Sequence, residues 1–259
     1  MRQWIVMYNK EMLEMWRSFK WLWVPLVFIL LGIMQPVTTY YLPQILESAG
    51  GLPEGAVIEI PIATGEQVMA EIISQYSTMG VLILVLAGMA IVSGEKQSRS
   101  IGLILVRPVP LSTFITTKWA GLVTLTITSL LVGCLSGWYY TELLIGQVII
   151  GHFVSGIWVY GLWMIFIITV LVLMSTILRG SSAVAFVTIL IVVSLSILTG
   201  VFDQWMLWSP ARLTHHTSSL LMNGIAGDGF LMSVGTTVAA VIVVLMISVT
   251  ALSRQELGD

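Results

Sequence analysis

Long runs of apolar residues, separated by short polar segments, dominate this chain. Six of the runs are about 20 residues long, which is the length that a helix needs to cross the hydrocarbon core of a bilayer. None of the six contains Asp, Glu, Lys or Arg; they are 21–41, 76–93, 119–140, 153–178, 183–202 and 231–252. The pattern predicts an all-α integral membrane protein with six transmembrane helices.

The first 20 residues have the pattern of an amphipathic helix instead. At about 100° per residue, one sector of about 120° holds the apolar side chains: Trp4, Ile5, Tyr8, Met12, Met15, Trp16 and Phe19. The other side is polar and partly basic, as in helices that lie in a membrane interface. We therefore predict an interfacial elbow helix over 1–20. The alternative is a flank of the first span with no further role.

Composition and charge position support a membrane protein and predict its orientation. Hydrophobic residues make up 57% of the chain and charged residues 9%, whereas soluble domains carry about 25% charged residues. Of the 11 Lys and Arg residues, only Arg212 lies on the side of the spans opposite to the others. Lys and Arg are retained on the cytoplasmic side, so both termini are predicted to be cytoplasmic.

Two outward segments follow from that orientation. The first extracellular loop, 42–75, carries five glutamates and no Lys or Arg. The second, 203–230, has the apolar spacing of short helices and is predicted to be an extracellular helical element, either on the outer surface or folded back as a re-entrant hairpin. Its adjacent His215 and His216 would point about 100° apart on a helix, which disfavours a shared metal ion.

The sequence lacks the common motifs for nucleotide binding and zinc catalysis. There is no Walker loop GxxxxGK[ST] and no HExxH zinc motif. The single cysteine, Cys134, excludes a disulfide framework and a thiolate metal cage. We predict no catalytic residue, no metal site and no nucleotide-binding site in this chain. On the third span, Ser129, Gly133 and Gly137 form a small-xxx-small ladder for helix packing, within one subunit or between two.

The most informative segment is the basic connector between the second and third spans, 94–118. It reads GEKQSRSIGLILVRPVPLSTFITTK. It resembles the signature of ABC-2 type transporter permeases, E-[KR]-E-x-G-T-L-x-x-L-L-x-x-P-V-S-R followed by Gly-Lys. Glu95 and Lys96 match its opening, Pro108 and Val109 match its Pro-Val pair, and Lys118 matches its final lysine. Three positions depart from it: Arg99, Leu111 and Thr117.

The resemblance implies a function and partners. In that family the segment is a cytoplasmic coupling helix that docks on a separate ATPase, so the expected coupling residues are Glu95, Lys96, Arg99, Arg107, Pro108, Val109 and Lys118. The chain would be a single permease domain, 1–259, in the bacterial cytoplasmic membrane. Its partners would be an ATPase dimer, which binds the ATP and Mg²⁺, and a second permease chain, identical or paralogous. No nucleic-acid partner is implied.

The resemblance also implies export. Spans without charge suit hydrophobic or amphipathic cargo such as peptide antibiotics, which would link the transporter to antibiotic resistance, or lipid-like molecules. The alternative function is an ATP-independent six-span facilitator, channel or sensor. That alternative explains the uncharged spans equally well, but not the spacing from Glu95 through Pro108 to Lys118.

Overall fold

The computed structural model describes residues 2–48, 63–97 and 110–256, and these residues form helices and no strand. The helices are α1 (Arg2–Arg17), α2 (Lys20–Ser48), α3 (Gly65–Gln75), α4 (Val81–Gly88), α5 (Ser93–Gln97), α6 (Leu111–Leu144), α7 (Ile150–Ile177), α8 (Ser181–Val201), α9 (Arg212–Asn223) and α10 (Phe230–Glu256). A π-helical turn, Tyr76–Gly80, joins α3 to α4.

Six stretches of the described chain are long and apolar enough to cross a membrane. They are Lys20–Ile45, Gly65–Lys96, Leu111–Leu144, Ile150–Ile177, Ser181–Val201 and Phe230–Arg254. Each of the six predicted spans lies within one of these stretches, apart from one end residue at most, and the second and third stretches extend well beyond their predicted spans. The protein is therefore an all-α, multi-pass membrane protein, as the apolar pattern predicted.

Helix ends differ from the predicted loop boundaries. The described parts of the segment predicted as the loop 42–75 are largely helical, because α2 continues to Ser48 and α3 begins at Gly65. Thr64 starts α3 through a reciprocal capping box with Gln67, which satisfies two backbone N–H groups at the helix start. Glu71 therefore belongs to the second long helix, where it accepts a hydrogen bond of 2.5 Å from the Gln35 amide.

The second span is interrupted twice. The first interruption is the π-helical turn, where the buried Tyr76 hydroxyl donates a hydrogen bond of 2.7 Å to the Phe28 carbonyl of α2. The second is a break of four residues, 89–92, between α4 and α5. Such interruptions are tolerated in a membrane when neighbouring helices supply the missing hydrogen bonds.

The tightest helix crossing joins α2 to α6 through glycines. A Cβ atom added at Gly133 would lie 2.5 Å from the Tyr76 hydroxyl, and one at Gly32 would lie 2.4 Å from the Gly133 carbonyl oxygen. A Cβ at Gly137 would lie 2.8 Å from Ile72. With Ser129 also buried, the small-residue ladder of the third span packs inside this chain.

The first helix ends earlier than the elbow helix predicted over 1–20. α1 stops at Arg17, and Phe19 has a φ of +57°. That left-handed conformation cannot continue a right-handed helix. Phe19 thus lies in the sharp turn between α1 and α2, and not on α1 as predicted.

The segment 203–230, which was predicted to face outward, contains one helix, α9, and no hairpin of two helices. Its 12 residues correspond to a length of about 18 Å. α9 packs on α7, where Leu221 covers Gly156, and its left-handed C-cap Gly224 packs against His152. Arg212, at its start, forms an ion pair of 2.8 Å with Asp203. α9 therefore covers the ends of α3 and α7.

Candidate functional site at the base of the connector

The most distinctive polar group in the described residues is the Lys118 ammonium. It lies two turns inside α6 with its side chain only 1% exposed. Its Nζ atom is 2.9 Å from Oε1 of Glu11 and 2.9 Å from Oε1 of Glu95. The Phe114 ring lies beneath it, with the centroid 5.1 Å from Nζ. A buried ammonium is stable only when it is paired in this way.

These contacts join three parts of the chain. Glu11 comes from α1, Glu95 from α5 and Lys118 from α6. Lys10 adds a second cation, 3.5 Å from Oε1 of Glu95. We call Lys10, Glu11, Glu95 and Lys118 the connector-base cluster. Since Glu95 and Lys118 stand at the two ends of the predicted connector, their ion pair ties those ends together.

A second set of contacts holds the start of the connector from the other side. The Lys96 ammonium donates a hydrogen bond to the Thr176 carbonyl at the end of α7. The Ser93 hydroxyl lies 3.1 Å from that of Ser181, at the start of α8. The residues 93–96 are therefore fixed between the connector-base cluster and the α7–α8 turn.

The predicted coupling residues thus have different positions. Glu95 and Lys118 converge in the connector-base cluster, whereas Lys96 bonds to the Thr176 carbonyl on the other side; all three are engaged within the chain. Lys118 is enclosed, so any effect that it has on a docked protein must pass through Glu11 or Glu95. The other four predicted coupling residues, Arg99, Arg107, Pro108 and Val109, lie outside the described residues.

The first helix, α1, crosses α6 at the same level. The Trp4 indole donates a hydrogen bond of 3.2 Å to the Thr116 hydroxyl, and the Tyr8 hydroxyl lies 2.9 Å from that of Thr124. Met15 reaches Gly121, and Met12 packs at the edge of the core. Positions 4, 8, 11 and 15 of α1 thus meet positions 116, 124, 118 and 121 of α6, so successive residues of α1 do not meet successive residues of α6. α1 therefore crosses α6 and does not run parallel to it.

Some apolar side chains of α1 pack against the rest of the protein, and others are exposed. Trp4, Tyr8 and Met15 contact α6, although Trp4 is 37% exposed. Met12 is partly buried against the core, whereas Trp16 is exposed, as is Phe19 in the following turn. Two further apolar residues of α1 that the predicted apolar sector did not include, Val6 and Leu13, are also exposed.

Glu11 is the functional candidate that sequence reasoning missed. It lies beside Trp4 and Met15 on the face of α1 that packs against α6, so an acidic residue bordering an apolar sector was the available signal. Burial raises the pKa of its carboxyl above the usual range, although the Lys118 ammonium acts in the opposite direction. Its partner is 107 residues away in sequence, and nothing in the helical pattern identifies that partner.

Two other sets of polar side chains contain residue types that bind metal ions, but neither forms a free ligand set in the described residues. Carboxylate oxygens of Glu11, Glu14 and Glu95 lie within 4.8 Å of one another, but Glu11 and Glu95 already bind the Lys118 ammonium. In α9, His216 is buried and His215 is exposed. Burial and the nearby Arg212 lower the pKa of His216, and its ring packs edge-on against Phe230.

Comparison with known proteins relates the whole chain to one relative. It is 30% identical over 256 residues to the uncharacterized transmembrane protein YxlG of Bacillus subtilis (strain 168), and the match covers 99% of each chain. The chain belongs to the YxlG family. No protein-family model matches it. Membership agrees with the six membrane-spanning helices, because the relative is also a transmembrane protein.

Proposed function

We propose that this chain is the membrane-spanning permease subunit of an ABC-2 type transporter, driven by a separate ATPase. The observation that carries the proposal is the Glu95–Lys118 ion pair. These two residues begin and end the segment that resembles the permease signature, and they meet at one point with Glu11. A connector closed at its base in this way is suited to transmit force.

The connector can transmit movement to the spans only if it is stiff. An ATPase dimer that moves on binding ATP must act on the spans through an element that does not bend freely. Here the connector base is attached to α1, α6 and the α7–α8 turn, so displacement of the connector reaches four helices directly. Charge-assisted hydrogen bonds to Lys118 make this attachment stronger than neutral contacts would.

The orientation and the role of α1 belong to the same proposal. The connector-base cluster and Arg179, in the α7–α8 turn, lie at one end of the bundle, together with most of the basic residues. The positive-inside bias makes that end cytoplasmic. α1 then lies in the inner interface, with Val6, Leu13 and Trp16 toward the acyl chains and Lys10 and Arg17 toward the headgroups.

Cargo and direction follow from the resemblance and the composition of the spans. The family resemblance favours export of hydrophobic or amphipathic molecules, such as peptide antibiotics or lipid-like compounds. Glu71 modifies that expectation, because it lies in the second long helix, exposed toward its outer end. A carboxylate there favours cargo that carries a positive charge.

The first experiment is purification of the tagged chain from its native membranes in mild detergent, with assay of the eluate for ATP hydrolysis. A co-purifying ATPase in stoichiometric amount supports the permease function. The connector variant Arg99→Glu/Arg107→Glu is expected to lose that ATPase. Arg254→Glu is the matched control, because Arg254 is exposed near the end of α10 and on the same side in the proposed orientation.

Glu95 is unsuitable for that test. Replacement by lysine would bring a third cation to Lys10 and Lys118 and damage the fold of the connector base, so lost binding would have two causes. A six-span protein that repeatedly purifies without any nucleotide-hydrolysing partner contradicts the proposal and favours the ATP-independent facilitator.

A further inference from the structure

The break in the second span is closed by a side chain from another helix. In a continuous helix the Val92 and Ser93 N–H groups would bond to the carbonyls of residues four positions earlier. Here both N–H groups donate to the Ser175 hydroxyl oxygen of α7, at 3.1 and 3.0 Å. Ser93 and Ser175 are buried, so these N–H groups would otherwise lie unpaired in an apolar environment.

The same hydroxyl also satisfies the other side of the break. Ser175 donates to the Met89 carbonyl at 3.3 Å, and the Ser93 hydroxyl donates to that carbonyl at 2.9 Å. Met89 provides the acceptor that a continuous helix would offer to Ser93. Ser175 therefore replaces the helical hydrogen bonds on both sides of the interruption, and insertion of a side chain in this way is a recognised cause of sharp helix kinks.

Contacts beyond the break fix the direction of α5. The residue after Ser175 accepts the hydrogen bond from Lys96, and Ser181 contacts Ser93. The first turn of the connector is thus held at its angle to α4 by the end of α7 and the start of α8.

The helices α4 and α5 meet at four residues. The Met89 and Ile91 N–H groups still donate to carbonyls of α4, and the Ala90 and Val92 carbonyls accept from α5. The Ser175 hydroxyl supplies the bonds that this ladder lacks, at the Val92 and Ser93 N–H groups and at the Met89 carbonyl.

We propose that Ser175 is a positioning residue that sets the angle between α4 and the connector, so that movement of the connector is passed to the second span. The mechanical meaning of this role rests on the proposed function, but the positioning itself does not. Without the hydroxyl, the segment 89–96 opens more readily, and displacement of the connector is absorbed at the break.

The first test is hydrogen–deuterium exchange of the purified chain in lipid nanodiscs. Ser175→Ala is expected to speed amide exchange in 89–96 by about tenfold, the effect of losing one well-made hydrogen bond. Thr176→Val is the matched control, because the Thr176 hydroxyl is buried beside Ser175 and, among the described residues, bonds to Val172 of its own helix and not to the break. Unchanged exchange in Ser175→Ala, or equal acceleration in both variants, overturns the proposal. Exchange in α6 must stay unchanged, which excludes general unfolding.

The second test uses the complex with the ATPase trapped by ADP and vanadate, which requires no cargo. In the wild type, trapping is expected to change exchange both in 89–96 and in α4. In Ser175→Ala the change in α4 is lost. A change in α4 that persists overturns the positioning role, whereas failure to isolate any ATPase contradicts the proposed function and leaves the first test to decide the role of Ser175.

Discussion

At the scale of single residues, the cluster around Lys118 concentrates buried charge at one point. One ammonium is shared by two carboxylates, and Lys10 at the surface supplies the second cation. The pairing offsets the desolvation of the charges but does not exceed it by much, so an ion pair of this kind is weak evidence for stability. It does specify geometry, because Lys118 satisfies both carboxylates only when α1 and α5 reach α6 together.

Replacing Lys118 with methionine is expected to lower the free energy of unfolding by about 3–5 kcal/mol, because Glu11 would remain buried without a cation. Adding Glu11→Gln to that variant is expected to restore part of the loss. Unfolding in mixed detergent micelles with increasing dodecyl sulfate measures both effects. Glu14→Gln, at an exposed position of α1, should change stability by less than about 0.5 kcal/mol. Strictly additive losses in the double variant would show that the two residues are not coupled.

The raised pKa of Glu11 predicts a pH dependence with a definite sign. The unfolded carboxyl titrates near 4.5, whereas the folded carboxyl keeps its proton to higher pH. As the pH rises above about 4.5, the unfolded state ionises first, so the contribution of Glu11 to stability falls until the folded carboxyl has also ionised. The free energy of unfolding of the wild type, minus that of Glu11→Gln, should therefore be larger near pH 5 than near pH 8. The opposite trend would mean that Lys118 outweighs burial.

At the scale of helices, the spans were predictable and their ends were not. An apolar run of about 20 residues reports where a helix crosses the bilayer, but it gives no information on how far the helix continues into water. α2 and α3 extend into the predicted loop 42–75 because local signals, such as the Thr64 capping box, act outside the apolar run. The break at 89–92 was also missed. It lies in an uninterrupted apolar sequence, and the hydrogen bonds that complete it come from Ser175 on another helix.

The crossing of α2 and α6 gives a prediction at this scale. Gly133→Ala is expected to destabilise the protein by about 1–3 kcal/mol, because the added methyl group would meet Tyr76 and Phe28 in a packed interface. Gly235→Ala on α10 is the control, since a Cβ there meets nothing within 4 Å. The control should be unchanged or stabilised by up to about 1 kcal/mol through helix propensity. Equal changes in the free energy of unfolding for the two substitutions would mean that the close approach of α2 and α6 at Gly133 does not contribute to stability.

At the scale of the whole molecule, sequence patterns located the connector ends but not the network that joins them. The spacing of Glu95 and Lys118 identified both residues, and the structure brings them into contact. Glu11 and Ser175 were not identified, because each acts across a long sequence separation and neither forms part of a periodic pattern. Residues that close a polar network in a helical bundle are determined by tertiary packing, which a single sequence does not report.

Charge distribution predicts how the whole bundle is oriented. Cys134, the single cysteine, is buried, so a membrane-impermeant maleimide should label the wild-type chain weakly. Gln204→Cys and Ser182→Cys place an exposed thiol at opposite ends of α8. In intact cells the reagent is expected to label Gln204→Cys alone, and after permeabilisation it should label both, because positive charge holds the α7–α8 turn in the cytoplasm. The reverse pattern would invert the orientation and place the connector-base cluster outside, where no ATPase could reach it.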